Sequence, residues 1–127
     1  MVEAIATGGT MDEAGVRGWV DRYLRAWESN DPEEIGALFT EDARYYTAPF
    51  REPWSGRDAI VAEWLDRKDD PGDWAFQYEV MAAAGDLGFV RGWTDYRDGP
   101  SYSNLWVVRL DAGGRAAAFT EWWMEES

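Results

Sequence analysis

From Trp74 onward the sequence leaves no room for a helix. It reads as four runs of strand-forming residues, near 74–84, 87–97, 102–111 and 115–124. Short turn segments, "AGD", "RDGPS" and "DAGGR", separate them. Consecutive strands joined by tight turns make an antiparallel meander. A meander with one apolar face needs something to cover that face. The first half of the chain has to supply the cover.

That half reads as helices. "TMDEAGVRGWVDRYLRAWESN" opens with a capping box, Thr10 to Glu13. Val16, Trp19, Val20, Tyr23, Leu24 and Trp27 follow at helical spacing. A second, shorter helix begins with Asp31 as N-cap and Pro32 at the first helical position. "EDARYYTAPF" reads as a strand and "REPW" as a loop. "SGRDAIVAEWLDRKDD" is a third helix, capped by Ser55, with Ile60, Val61, Trp64 and Leu65 as its buried stripe. The order α-α-β-α followed by a meander predicts one α+β domain over residues 10–127, with helices packed on one face of a curved antiparallel sheet. Residues 1–9 read as a disordered tail.

Composition narrows the function. The formal net charge is −13. Sequence-independent nucleic-acid binding and attachment to anionic membranes both need a basic surface, so neither is expected. With no cysteine and no histidine, the chain has no disulfide or thiol chemistry and lacks the commonest acid–base group and metal ligand. The start, "MVEAIATGG", has neither the basic region nor the apolar run of a signal peptide, and a cytoplasmic location is expected. No phosphate loop, metal cluster or nucleophilic triad is legible, so no metal and no cofactor are expected. "DRKDDPGD" is acidic, but its spacing is wrong for a calcium loop. Nine tryptophans in so small a domain imply a large aromatic-lined cavity, a large interface, or both.

The stretches "YLRAWESNDPEEIGALFTEDARYY", "PWSGRDAIVAEW" and "LWVVRLDAGGRAAAFTEWW" carry a resemblance. In this order the chain resembles the nuclear-transport-factor-2-like superfamily, and within it the SnoaL-like group. The resemblance implies a cone: a strongly bent sheet wrapped around three helices, its concave side lining a pocket. Ketosteroid isomerase, scytalone dehydratase, limonene epoxide hydrolase and polyketide cyclases share that fold; other members bind proteins or have no known catalysis. The pocket tyrosine of the isomerase falls on Tyr23, which matches. Its general-base aspartate falls near Thr47 and its proton-donating aspartate near Trp106, and neither matches. The dehydratase depends on histidines, which are missing. The epoxide hydrolase uses an arginine and two aspartates, and the spacing here differs.

The cone geometry implies that Phe89, Arg91, Trp93 and Asp95 face the concave side. The same parity turns Tyr102, Asn104, Trp106 and Val108 inward from the next strand, and Phe119, Glu121 and Trp123 from the last. Closing the turns pairs Asp95 with Asn104 and Asn104 with Glu121. The outer two then lie two strand spacings apart, about 9.5 Å. Two carboxylates beside one amide, with Arg91 near, can hold an acid and a base without histidine. The expected catalytic set is therefore Asp95, Glu121, Asn104 and Arg91. Glu121 is the first choice for the acid or base, because burial between Phe119 and Trp123 raises its proton affinity. The same residues could instead form a purely structural polar network. The expected binding walls are Tyr23, Trp27, Tyr45, Trp64, Trp93, Trp106, Phe119 and Trp123, suited to a small apolar cyclic molecule.

The other face of the sheet, with Gly88, Val90, Gly92 and Thr94 beside Leu105, Val107, Ala118 and Trp122, is expected outside as a homodimer interface. Two functions remain open at this point. One is a cofactor-independent enzyme of the isomerase, cyclase, dehydratase or epoxide hydrolase type. The other is a non-catalytic ligand-binding or dimerisation module.

Overall fold

The computed structural model describes residues 12–126. Helix α1 spans Glu13–Ser29. Thr10 lies outside the described residues; the helix is capped by Asp12, whose side chain accepts the Gly15 N–H at 2.9 Å. Val16, Trp19, Val20 and Tyr23 are buried along one stripe. The helix ends at Asn30, which takes a left-handed conformation (φ 52°) and returns its N–H to the Ala26 carbonyl. Helix α2, Pro32–Gly36, starts as the Asp31-Pro32 pair predicts. Helix α3, Arg57–Asp66, buries Ile60 and Trp64. Its start differs from expectation. Ser55 belongs to a two-residue strand, and the cap position is Gly56 at φ 93°, where the chain turns sharply from strand to helix.

The strands are β1 (Phe39–Tyr46), β2 (Trp54–Ser55), β3 (Trp74–Ala84), β4 (Leu87–Tyr96), β5 (Ser101–Leu110) and β6 (Ala116–Glu125). They form one curved sheet in the order β2-β1-β6-β5-β4-β3. The meander is antiparallel, as the turns require, and β1 joins it by running parallel to β6. Two single-residue bulges interrupt the ladders. Met81 is extra on β3 and Ala117 is extra on β6. Bulges bend a strand and increase its twist, which suits a sheet that closes around helices. The core lies between α1 and the concave face. Trp19 is fully buried there and donates its indole N–H to the Leu38 carbonyl at 3.0 Å. Burying each such side chain contributes about 1.5–3 kcal/mol. No helix among the described residues is long and apolar enough to cross a membrane.

One strand has the opposite orientation from that expected. On β4 the buried residues are Gly88, Val90, Gly92 and Thr94; Phe89, Arg91, Trp93 and Asp95 are on the convex side. Gly92, not Asp95, stands opposite Asn104, and Val90, not Trp93, stands opposite Trp106. The register differs by three residues, and any odd slip exchanges the faces of a strand. A bare face is a core face here because its neighbours fill it. A Cβ on Gly88 would sit 2.6 Å from Val16 Cγ2 on α1, and one on Gly92 would collide with the Phe76 ring from β3. The missing side chains let the helix and that ring lie directly on the strand. Strands β5 and β6 keep their expected faces. Their mutual register is offset by two residues, so Trp106 meets Glu121 and Asn104 meets Trp123.

Candidate functional site

The concave face encloses a cavity of about 360 Å³. Helix α1 supplies Tyr23 and Trp27, β1 supplies Tyr45, β2 supplies Trp54, and α3 supplies Trp64. The meander supplies Thr94 and Tyr96 from β4, Tyr102, Asn104 and Trp106 from β5, and Glu121 and Trp123 from β6. Arg67, Lys68 and Asp69, in the loop after α3, complete the lining. Such a volume, with aromatic walls and several polar groups converging on it, has the form of a small-molecule site.

The polar atoms are organised around Glu121. Asn104 Nδ2 donates to Glu121 Oε2 at 2.6 Å, and Asn104 Oδ1 accepts from Thr94 Oγ1 at 2.8 Å. Among the described residues Glu121 Oε1 has no hydrogen-bond partner, and no arginine or lysine pairs with the carboxyl. Burial pushes the Glu121 carboxyl above the usual carboxylate range. The Trp106 indole N–H and the Asn104 amide pull it back in part, because both favour the charged form. The Trp106 N–H is buried without a full hydrogen bond and lies opposite Glu121 across the β5–β6 pair, so it acts on the carboxyl as a nearby positive dipole.

Beside this group the Tyr23 and Tyr45 hydroxyls meet at 2.8 Å. Both are buried and hard to ionise. Burial is the main cause for each, and the Glu121 carboxyl adds to it. They therefore stay as hydroxyls. One bond between two hydroxyls uses one proton and leaves the second free for another acceptor. At the far end, Asp69 Oδ2 accepts from the Trp27 indole at 3.0 Å and from the Tyr96 hydroxyl at 3.2 Å. Asn30 ties this loop down, donating to the Asp69 carbonyl at 2.9 Å and accepting from the Trp64 indole at 3.1 Å. Among the described residues no group of three His, Cys, Asp or Glu is placed to hold a metal ion.

The expected site residues divide cleanly. Glu121 and Asn104 come together at the cavity, as do Tyr23, Trp27, Tyr45, Trp64, Trp106 and Trp123. Phe119 is fully buried behind the wall, packed against Trp19, Tyr23, Tyr45 and Trp106. Asp95, Arg91 and Trp93 are on the opposite side of the sheet. Asp95 accepts from Ser101 Oγ at 2.6 Å, and the Arg91 guanidinium stacks 4.9 Å over the Trp93 ring. They cannot reach Glu121 through the sheet, and the expected pair of facing carboxylates is not formed. Thr94 and Tyr96 were missed because they share the parity of the two glycines. Trp54 was missed because "REPW" reads as a loop, and Asp69 because it lies at the tail of the segment that reads as the third helix, beyond its buried stripe.

An α+β cone whose concave side holds an aromatic cavity with the Glu121 and Asp69 carboxyls in its wall defines a class of small-molecule-sized pocket. The SnoaL-like domain family model matches residues 20–124, and the chain belongs to that family. Solved structures share the fold. A nuclear-transport-factor-2-like protein of unknown function from Burkholderia xenovorans superposes with a TM-score of 0.72 at 16% identity, over 92% of this chain and 88% of that one. A ketosteroid isomerase-like protein from Erwinia carotovora gives 0.63 at 21% identity, over 91% and 96%. The epoxide hydrolase/cyclase-like enzyme SalBIII, of pyran ring formation in the polyether salinomycin, gives 0.70 at 17% identity, over 89% and 93%. No curated protein matches the chain in sequence.

Proposed function

We propose that this protein is a cofactor-independent acid–base enzyme that binds a small, largely apolar cyclic molecule, with Glu121 carrying the proton. One observation supports the reading above all. Glu121 is a carboxyl in an aromatic cavity wall, with one oxygen held by Asn104, the other unpartnered, and no cation paired with it. A purely structural carboxyl at such a place would be expected to have an arginine partner. A raised proton affinity brings a carboxyl closer to giving and taking a proton at working pH than an ordinary carboxylate is. The Tyr23–Tyr45 pair, with its spare hydroxyl proton, can hold a substrate oxygen while Glu121 acts on a neighbouring atom. Isomerisation, cyclisation, dehydration and epoxide opening all fit that arrangement. The structural neighbours described as ketosteroid isomerase-like and epoxide hydrolase/cyclase-like point the same way.

The test begins with a thermal-shift screen of small cyclic compounds, since a native-state ligand raises the melting temperature. Hits are then assayed for conversion by wild type and Glu121→Gln. The reading expects the variant to fold and bind but lose turnover by at least about a hundredfold, the typical weight of a general acid or base. Unchanged turnover in Glu121→Gln would leave a binding module as the function.

The convex face supports self-association as a second element of the proposal. Phe89, Val107, Leu105 and Trp122 are neighbours there across three strands, with the stacked Arg91–Trp93 pair beside them, and Met124 extends the patch with 73% of its surface exposed. This apolar surface suits face-to-face packing with a second copy.

A further inference from the structure

Asn104 has two chemically opposite ends. Which end meets Glu121 decides which protonation state of the carboxyl the amide favours. Nδ2 donates to Glu121 Oε2 at 2.6 Å, so the amide favours the carboxylate. At its other end Oδ1 accepts from Thr94 Oγ1 at 2.8 Å. Thr94 is 3% exposed and Asn104 8%, so bulk water barely competes at either end. A valine would fill the same strand position with nearly the same shape, and a buried hydroxyl is costly unless it is bonded. The side-chain bond the Thr94 hydroxyl makes is to this amide.

We propose that Thr94 is a positioning residue for Glu121: its hydroxyl holds the Asn104 amide with the N–H end toward the carboxyl. The catalytic meaning of this relay rests on the reading of Glu121 as the proton-transfer group. The relay itself is a statement about ionisation and is tested as one. Other groups also face Glu121: Tyr23 from α1, Tyr45 from β1, Tyr96 from β4 and Trp106 from β5, with Arg67, Lys68 and Asp69 elsewhere in the cavity lining. They act on the carboxyl whichever way the amide lies, so a change at Thr94 isolates the relay. Without the hydroxyl, Asn104 Oδ1 loses its buried partner. The amide can then turn and offer Oδ1 to a protonated Glu121, or stay and donate less firmly. Both outcomes raise the proton affinity of Glu121.

The experiment follows the Glu121 Cδ resonance across pH in the full chain labelled with carbon-13 glutamate, the signal being assigned by its loss in Glu121→Gln. Thr94→Val is expected to raise the Glu121 midpoint by roughly half to one pH unit, the weight of one hydrogen bond. Thr94→Ser is expected to restore it. In nitrogen-15-labelled protein the two Asn104 side-chain N–H resonances are expected to be well separated in the wild type and to move together in Thr94→Val. An unmoved midpoint in folded Thr94→Val overturns the proposal, as does a Thr94→Ser protein that titrates like the valine variant. If the valine variant does not fold, Thr94→Ala carries the same comparison. Turnover plays no part in this readout. A moved midpoint alongside full activity in Glu121→Gln keeps the relay and removes the catalytic reading. An unmoved midpoint alongside lost activity in Glu121→Gln does the reverse.

Discussion

At the scale of single residues, Glu121 makes stability depend on pH in a direction that can be stated. Its proton affinity is raised in the folded chain. The native state therefore keeps a proton that the unfolded chain has already released. Stability falls as pH rises from the ordinary carboxylate range to the raised native value, and the full penalty persists above that window. Glu121→Gln keeps an acceptor for Asn104 and removes the charge. The melting temperature of the variant minus that of the wild type should therefore grow as pH rises from the ordinary carboxylate range and level off above the raised native midpoint. A flat difference would show that Glu121 is not held in an unfavourable environment. Gly92 offers a second test. A methyl there meets the Phe76 ring, which stacks on Trp106 at 4.9 Å. Gly92→Ala should lower stability by about 1–3 kcal/mol in chemical denaturation, as overpacking does. The same substitution on the convex side would cost far less, so the measurement also checks the orientation of β4.

At the scale of elements, the end of α1 and the loop after α3 are one unit. Asn30 closes the helix in a left-handed conformation, and its side chain joins the Trp64 indole to the Asp69 carbonyl. Two substitutions separate these duties. Asn30→Gly keeps the backbone freedom and loses both side-chain bonds, which should cost about 1–3 kcal/mol. Asn30→Ala loses the bonds and adds about 1 kcal/mol of backbone strain. Equal stabilities for the two variants would show that the conformation at Asn30 carries no strain. The Asp31-Pro32 start of α2 and the stripe of α1 were legible because caps and periodicity are local. The start of α3 was not, since the serine that reads as a cap is used as a strand residue pairing with Arg44.

At the scale of the whole molecule, the corrected faces relocate the proposed dimer surface without removing it. Gly92→Arg would disrupt the core, because a side chain there meets the Phe76 ring. The informative substitution is Leu105→Arg, on β5 between Arg91 and Trp122 on the convex side. If two copies pack through this face, the wild type should sediment as a dimer at micromolar concentration. The variant should sediment as a folded monomer, because association would bury an unpaired charge. A monomeric wild type would sink the dimer and leave the cavity untouched. The strong net negative charge makes salt a useful variable: an apolar interface between two such copies should tighten as repulsion is screened.

The resemblance to the cone fold implied the inward faces of β5 and β6 and the meeting of Asn104 with Glu121 among aromatic walls, while the sequence by itself determined the three helices, β1, the four meander strands and their α+β arrangement. The latter follow from local signals: the alternation of side chains, the caps and the turn residues. The tertiary structure alone decided the orientation of β4, and with it the exclusion of Asp95, Arg91 and Trp93 from the site and the entry of Thr94 and Tyr96. Strand parity changes with a single residue, and the width of the turn after Tyr96 sets it for β4 without leaving a pattern in the sequence. What fixes the choice is space. Val16 of α1 and the Phe76 ring occupy the room above Gly88 and Gly92, and only the assembled fold brings them there.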